Sequence, residues 1–303
     1  MKKKTVYKPI ESPPLNHEKL PLAKHEFIKN KQLDVAYAFN SNSQKMDIYM
    51  PNEPGMYPCI FFIHGGAFAM CDKSDRQVQP FLEGVKKGFV VVSVNYRLSG
   101  ESIFPAGLQD CKSAIRFLRA NAKKYQIDSD KIAACGGSAG GNFVEMLCTS
   151  AGINLFDDIS TGNQMYSSEV QAGVAWFAPT DFLLMDKQLK ENHLFPQDHS
   201  EELSPESRYL GGKITELDYN YVQKSNPMTY VHSNIPPMLI QHGRMDHLVP
   251  YQQSVIFVDK IRRIAGDDKV IFEILETADH GDKLFETKEN MEKVFCFLEE
   301  SLR

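Results

Sequence analysis

From Pro58 onward, short apolar runs alternate with amphipathic helical patterns, and this alternation restricts the possible folds more than any other feature of the chain. The runs are Cys59–Ile63, Phe89–Asn95, Lys131–Cys135, Val170–Phe177, Met238–Gln241 and Val270–Leu275. They are near-continuous stretches of β-branched and aromatic residues, as expected of parallel strands covered on both faces. The clearest helix carries Leu108, Cys111, Ile115, Leu118 and Ala122 at steps of three and four, with Arg116, Arg119 and Lys123 interleaved. A last helix is expected over about 282–302, with Leu284, Met291, Phe295 and Leu298 on its apolar face. The pattern predicts an α/β fold: a doubly wound, mostly parallel central sheet with helices on both faces.

Three segments depart from the rhythm. Residues 1–25 read as an extended arm, because Pro9, Pro13, Pro14 and Pro21 forbid a regular helix. Leu33–Phe39 and Met46–Met50 flank the turn-prone Asn40-Ser41-Asn42-Ser43 and read as a hairpin. Residues 183–232 are polar, hold tyrosines and prolines and lack a strong strand, so they read as a cap inserted into one domain spanning 26–303. With 42% hydrophobic residues among 303, such a domain can fill its core without a metal or disulfide staple. The six cysteines have no zinc or C-x-x-C spacing and read as small core residues.

The stretch Lys131 to Asn142 sets a G-x-S-x-G pentapeptide, Gly136 to Gly140, between a strand and a helix. A serine in so sharp a turn adopts strained backbone angles, and side chains two residues to either side would collide with the neighbouring strand and helix. The helix that follows aims its first amides at the place where negative charge develops. Ser138 is therefore the candidate nucleophile. Upstream, Ile60 to Ile63 is an apolar strand running into His64-Gly65-Gly66-Ala67-Phe68. Small residues there let backbone N–H groups approach an oxyanion, and Gly65, Gly66, Ala67 and Ala139 are the candidate donors. His64 is expected to fix this loop rather than to act as a base.

A serine hydroxyl needs a histidine base oriented by a carboxylate. In the α/β-hydrolase arrangement these follow in the order Ser, Asp, His. Asp246 lies just past Met238–Gln241, and His280 just past Val270–Leu275, at the carboxyl ends of strands where such sheets hold their chemistry. His242 is expected to brace the turn before Asp246 and His247 to face outward. Asp279 adjoins His280 in sequence, a poor geometry for orienting that ring. No histidine–acid spacing indicates a metal, and no cofactor is expected.

Taken together, His64-Gly-Gly-Ala-Phe, Asn95-Tyr-Arg-Leu, Phe104-Pro-Ala, Ile115 to Tyr125, Gly136-Gly-Ser-Ala-Gly-Gly-Asn and His242 to Pro250 occur in a familiar order. Residues 45–300 resemble the bacterial esterase/lipase branch related to hormone-sensitive lipase. They are most similar to its acetyl-xylan and feruloyl (bifunctional deacetylase/feruloyl) esterases, as are Trp176-Phe-Ala-Pro-Thr-Asp-Phe and Ser204 to Gly212. The resemblance implies hydrolysis of short-chain, acetyl-type esters, carbohydrate esters among them. Two positions depart from it: Ala67 stands where the lipase branch has a third glycine, and Ala175 stands where a polar or acidic residue is expected. Phe68, Trp176 and the cap aromatics are the candidate pocket walls.

The alternatives on the same residues are an amidase, a peptidase or an aryl-formamidase, and, in another class, a catalytically silent binding protein. The net charge of −5, without a basic stripe, excludes an electrostatic case for nucleic acid, and no run is long enough for a membrane span. Residues 5–22 contain prolines and charges where a signal peptide would be apolar, so the expected location is cytoplasmic. The expected partner is then a small ester, such as an acylated sugar, rather than polymeric xylan; a homodimer is compatible with the sequence.

Overall fold

The computed structural model describes residues 7–10 and 19–303. Eight strands form one sheet in the order β1-β2-β4-β3-β5-β6-β7-β8. They are β1 (Lys31–Ala36), β2 (Lys45–Tyr49), β3 (Tyr57–Ile63), β4 (Val90–Val94), β5 (Ile127–Gly137), β6 (Ala172–Trp176), β7 (Met238–Gly243) and β8 (Val270–Leu275). From β4 to β8 every neighbouring pair is parallel, whereas β1 and β2 form an antiparallel hairpin at the β4 edge. Each apolar run of the sequence thus becomes a strand.

Those runs are continuous because both faces of the sheet are covered. Along β3, Cys59, Phe61 and Ile63 enter one core while Ile60 and Phe62 enter the other. Helices Ala106–Ala120, Ala139–Thr149 and Gln252–Ala265 close the first face through Leu108, Ile115, Phe143, Val144 and Phe257. Helix Lys288–Ser301 closes the second through Met291, Val294, Phe295 and Leu298.

The last helix is shorter than its periodicity predicts. Thr287 caps it by accepting from the Asn290 amide, and Lys283–Glu286 is a separate 3-10 turn capped by Asp282. Leu284 consequently faces solvent and Phe285 is the buried residue of that turn. Most of the expected arm lies outside the described residues, including Pro13 and Pro14. Its described end is fastened to the domain: Leu22 bridges Asp75, the Ala23 amide donates to Ser74 O, and the Arg76 amide donates to Pro21 O.

The segment expected as a cap lies between β6 and β7 and holds the short helices Met185–Glu191, Pro205–Leu210 and Tyr219–Gln223. It is sewn into the first core through Met185, Tyr209, Leu210 and Ile214. Beside it, the buried cations Lys112 and Arg116 share one carboxylate, Asp157, at 3.0 and 2.6 Å. Burial alone would raise this carboxyl, but the hydrogen bonds from Arg116 and Lys112 outweigh it and hold it below the usual range. Asp157→Ala strands two desolvated charges, and its partial exposure tempers the cost to about 2–3 kcal/mol in a urea unfolding titration. A change under about 0.5 kcal/mol would show that water already solvates the pair.

All six cysteines are free, and Cys59, Cys111, Cys135 and Cys148 are buried in the core. No helix among the described residues is long and apolar enough to cross a membrane.

Candidate active site

The parallel strands all deliver their chain to the same sheet edge, and the candidate residues follow directly: the Gly65–Ala67 loop after β3, Ser138 after β5, Asp246 after β7 and His280 after β8. Ser138 sits at φ 56°, ψ −127°, a backbone conformation that side chains rarely adopt. The residues two places to either side of it must be glycine for steric reasons. A Cβ on Gly140 would lie 2.1 Å from Ile63 O, and one on Gly136 would lie 2.7 Å from the same oxygen. The turn is held from the far side by the Ser138 amide, which donates to Trp176 O at 2.9 Å.

Ser138 Oγ lies 3.0 Å from His280 Nε2, and His280 Nδ1 lies 2.8 Å from Asp246 Oδ2. An ionised carboxylate only accepts, so Nδ1 carries the proton and Nε2 is left to accept from the serine hydroxyl. Asp246 is wholly buried and every lone-pair direction is used: Oδ1 accepts from the amides of Leu248 and Val249, and Oδ2 faces His280 and, at 3.3 Å, His242. Burial alone would raise its carboxyl. The electrostatic attraction of the His280 imidazole and the ring hydrogen bonds from His242 and His280 outweigh burial and hold it well below the usual carboxylate range.

The other histidines take the expected places. His242 Nε2 donates to Val249 O and Nδ1 accepts from Ser254 Oγ, bracing the turn before Asp246. His247 is half-exposed and pairs with Asp279, which also accepts from the His280 amide instead of addressing its ring. His64 donates from Nδ1 to Gly65 O and stacks on Tyr96 at 4.6 Å; burial lowers its pKa and keeps it neutral. Of the residues expected in the cap, His199 pairs with Glu206 at 3.0 Å and reaches Leu248 O at 2.8 Å. Burial opposes its charge, but the Glu206 carboxylate outweighs burial and pushes the ring up to about 9.

A histidine raised in the folded state stabilises fully below its unfolded value of about 6.5 and loses that contribution as pH rises through the folded value. Wild-type stability should therefore fall by about 2–4 kcal/mol between pH 6.5 and 9.5 relative to His199→Gln. Parallel urea-midpoint profiles for the two proteins would exclude this linkage.

Two expected roles are corrected. The Gly65 amide donates to Gln77 Oε1 at 2.9 Å, so it is occupied and not available to a ligand. The amides of Gly66 and Ala67, and that of Ala139 at the first helical position, have no protein acceptor among the described residues. Phe68 is not a pocket wall. Positive φ at Ala67 and Phe68 (54° and 58°) turns its ring inward, where it stacks on Tyr209 at 4.0 Å.

The cavity over Ser138 has a volume of about 380 Å³ and a mainly apolar lining. Trp176 is among the residues that line it, with Phe62, Met70, Phe177 and Phe285. The 183–232 aromatics contribute nothing to it; Leu20, from the described end of the arm, does. Ala175 is buried inside β6, paired with Gly136 and Ile240, and away from the lining. Gln77, Arg76, Phe285 and Glu286 were not legible in the sequence, because no local pattern marks them. No group of three or more potential metal ligands occurs among the described residues.

The chain is similar to a probable carboxylic ester hydrolase, LipM, of Mycobacterium tuberculosis, with 27% identity over 245 residues, which is 80% of this chain and 54% of that protein. Esterase LipQ of the same organism is 28% identical over 257 residues, 84% of this chain and 58% of the other. The chain thus spans a little over half the length of these curated relatives. In three dimensions it is similar to a truncated carbohydrate esterase from gut microbiota, with a TM-score of 0.79, 29% identity, and coverage of 93% of this chain and 99% of that one. The fold is that of the α/β-hydrolases. The BD-FAE family profile matches residues 46–261, more than half of the 303-residue chain, and the chain belongs to that family.

Proposed function

We propose that this chain is a serine esterase that hydrolyses short-chain acyl esters, acylated sugars among them, through an acyl-enzyme on Ser138. The observation that carries the reading is the continuous relay from Ser138 Oγ through His280 to Asp246, at 3.0 and 2.8 Å. His280 takes the serine proton as Oγ attacks the ester carbonyl, and Asp246 holds the ring in the required tautomer. The free amides of Gly66, Ala67 and Ala139 are the donors available to the oxyanion. His280 then protonates the departing alcohol, and water repeats the sequence on the acyl-enzyme, restoring the serine. The apolar cavity walls suit an acyl group, and its relatives, esterases and a carbohydrate esterase, favour ester over amide substrates.

A fluorophosphonate probe should label the native chain and leave Ser138→Ala unlabelled. Turnover of short p-nitrophenyl esters should exceed that of the matching amides and of N-formylkynurenine. Absence of labelling, or a preference for the amides, would overturn the assignment.

A further inference from the structure

The cavity over Ser138 has a mainly apolar lining. Besides His280, its charged lining residues are Arg76, Asp282 and Glu286. Asp282 is committed to capping the 3-10 turn, where Oδ1 accepts from the Leu284 amide. Arg76 and Glu286 are joined to each other by a bond from the guanidinium to Glu286 Oε2. We infer that this pair reads the alcohol half of the ester and selects alcohols that carry a hydroxyl beside the ester oxygen. The inference rests on the esterase reading of Ser138.

Position gives the first argument. The departing alcohol takes its proton from His280 and must lie beside that ring. Glu286 ends the turn Lys283–Glu286, on the segment that carries His280. Arg76 lines the same cavity, and its backbone is pinned by the amide bond to Pro21 O at 2.7 Å. The pair thus lines the same cavity as His280, with Glu286 six residues along the chain from that ring.

Chemistry gives the second. A guanidinium has five N–H donors and a carboxylate two acceptor oxygens. The mutual bond uses one donor and Oε2, leaving the other guanidinium donors and Oε1 without a protein partner among the described residues. A hydroxyl both donates and accepts, so it matches this surplus. The pair is neutral overall and gives no advantage to an anionic or cationic alcohol. Stability does not account for it, since an ion pair with side chains 36% and 27% exposed contributes little.

The test compares cyclohexyl acetate with the monoacetate of trans-cyclohexane-1,2-diol, which share acyl group and ring and differ in one hydroxyl. In the wild type the diol ester should have a kcat/KM about tenfold or more above the other, the discrimination expected of a hydroxyl bonded to charged groups. Arg76→Met and Glu286→Gln should each bring this ratio to within about twofold of one. Both esters report on the same active molecules, so partial misfolding cancels in the ratio. A wild-type ratio near one, or a ratio unchanged in both variants, overturns the inference while leaving the esterase reading intact. Failure of the wild type to hydrolyse either ester or p-nitrophenyl acetate would instead defeat the esterase reading.

Discussion

Ser138→Ala should lower kcat for p-nitrophenyl acetate by about 10⁴-fold or more, with the fold retained. The substitution removes only Oγ, and alanine occupies the same backbone conformation that serine does. The free amides of Gly66, Ala67 and Ala139 remain, so the residual rate should come from water attacking beside intact oxyanion donors. No other nucleophile can stand in. Cys71 also lines the cavity, but burial and the nearby Asp75 push its thiol up to about 11, leaving almost no thiolate at neutral pH. Steady-state kinetics with circular dichroism on the same sample decide the matter. A loss below about tenfold would mean that the acyl group never rests on Ser138.

Asp246→Asn should cost about 10³–10⁴ in kcat without dismantling the site. The reason lies in the four contacts of the carboxylate. With the amide oxygen facing the Leu248 and Val249 amides, the new NH₂ points at His280 Nδ1. The ring then carries its proton on Nε2 and cannot accept from Ser138. With the amide reversed, the NH₂ confronts two backbone donors at 2.8–2.9 Å. Neither orientation restores the base.

The same variant carries a pH signature. A carboxyl held low in the folded state stabilises above its unfolded pKa of about 3.9 and loses that contribution as pH falls towards the folded value. The stability advantage of wild type over Asp246→Asn should therefore shrink below about pH 4. Urea midpoints at pH 7, 4 and 2.5 measure it; an advantage independent of pH would show that Asp246 is not the titrating group. Catalysis is affected at neutral pH and stability mainly in acid, so the two readouts separate the residue's orienting role from its charge.

How much of this was legible in the residues depended on whether the cause was local. A strand covered on both faces must be apolar throughout, so each parallel strand announced itself as an unbroken run. The nucleophile turn was legible from its glycine–serine pattern between a strand and a helix, although the clash that demands glycine at 140 is with Ile63 O on the neighbouring strand β3. Asp246 and His280 could be placed because a parallel sheet delivers every following loop to one edge. The hairpin of β1 and β2 needed only its turn residues.

The remainder is decided by contacts between distant segments. Gly65 looked like an oxyanion donor until Gln77 folded back and took its amide. Phe68 looked like a wall until two successive positive φ values turned its ring onto Tyr209. The insertion looked like a cap, yet its tyrosines complete a core, and the cavity is walled instead by Leu20, Phe285 and the Arg76–Glu286 pair. By itself the sequence determined the sheet, the turn around Ser138 and the order of the three reacting groups, because apolar runs, the glycine–serine pattern and strand direction dictate them. Only the tertiary structure decided which amides stay free and what encloses the ester, because those depend on which remote side chains reach each backbone group and wall first.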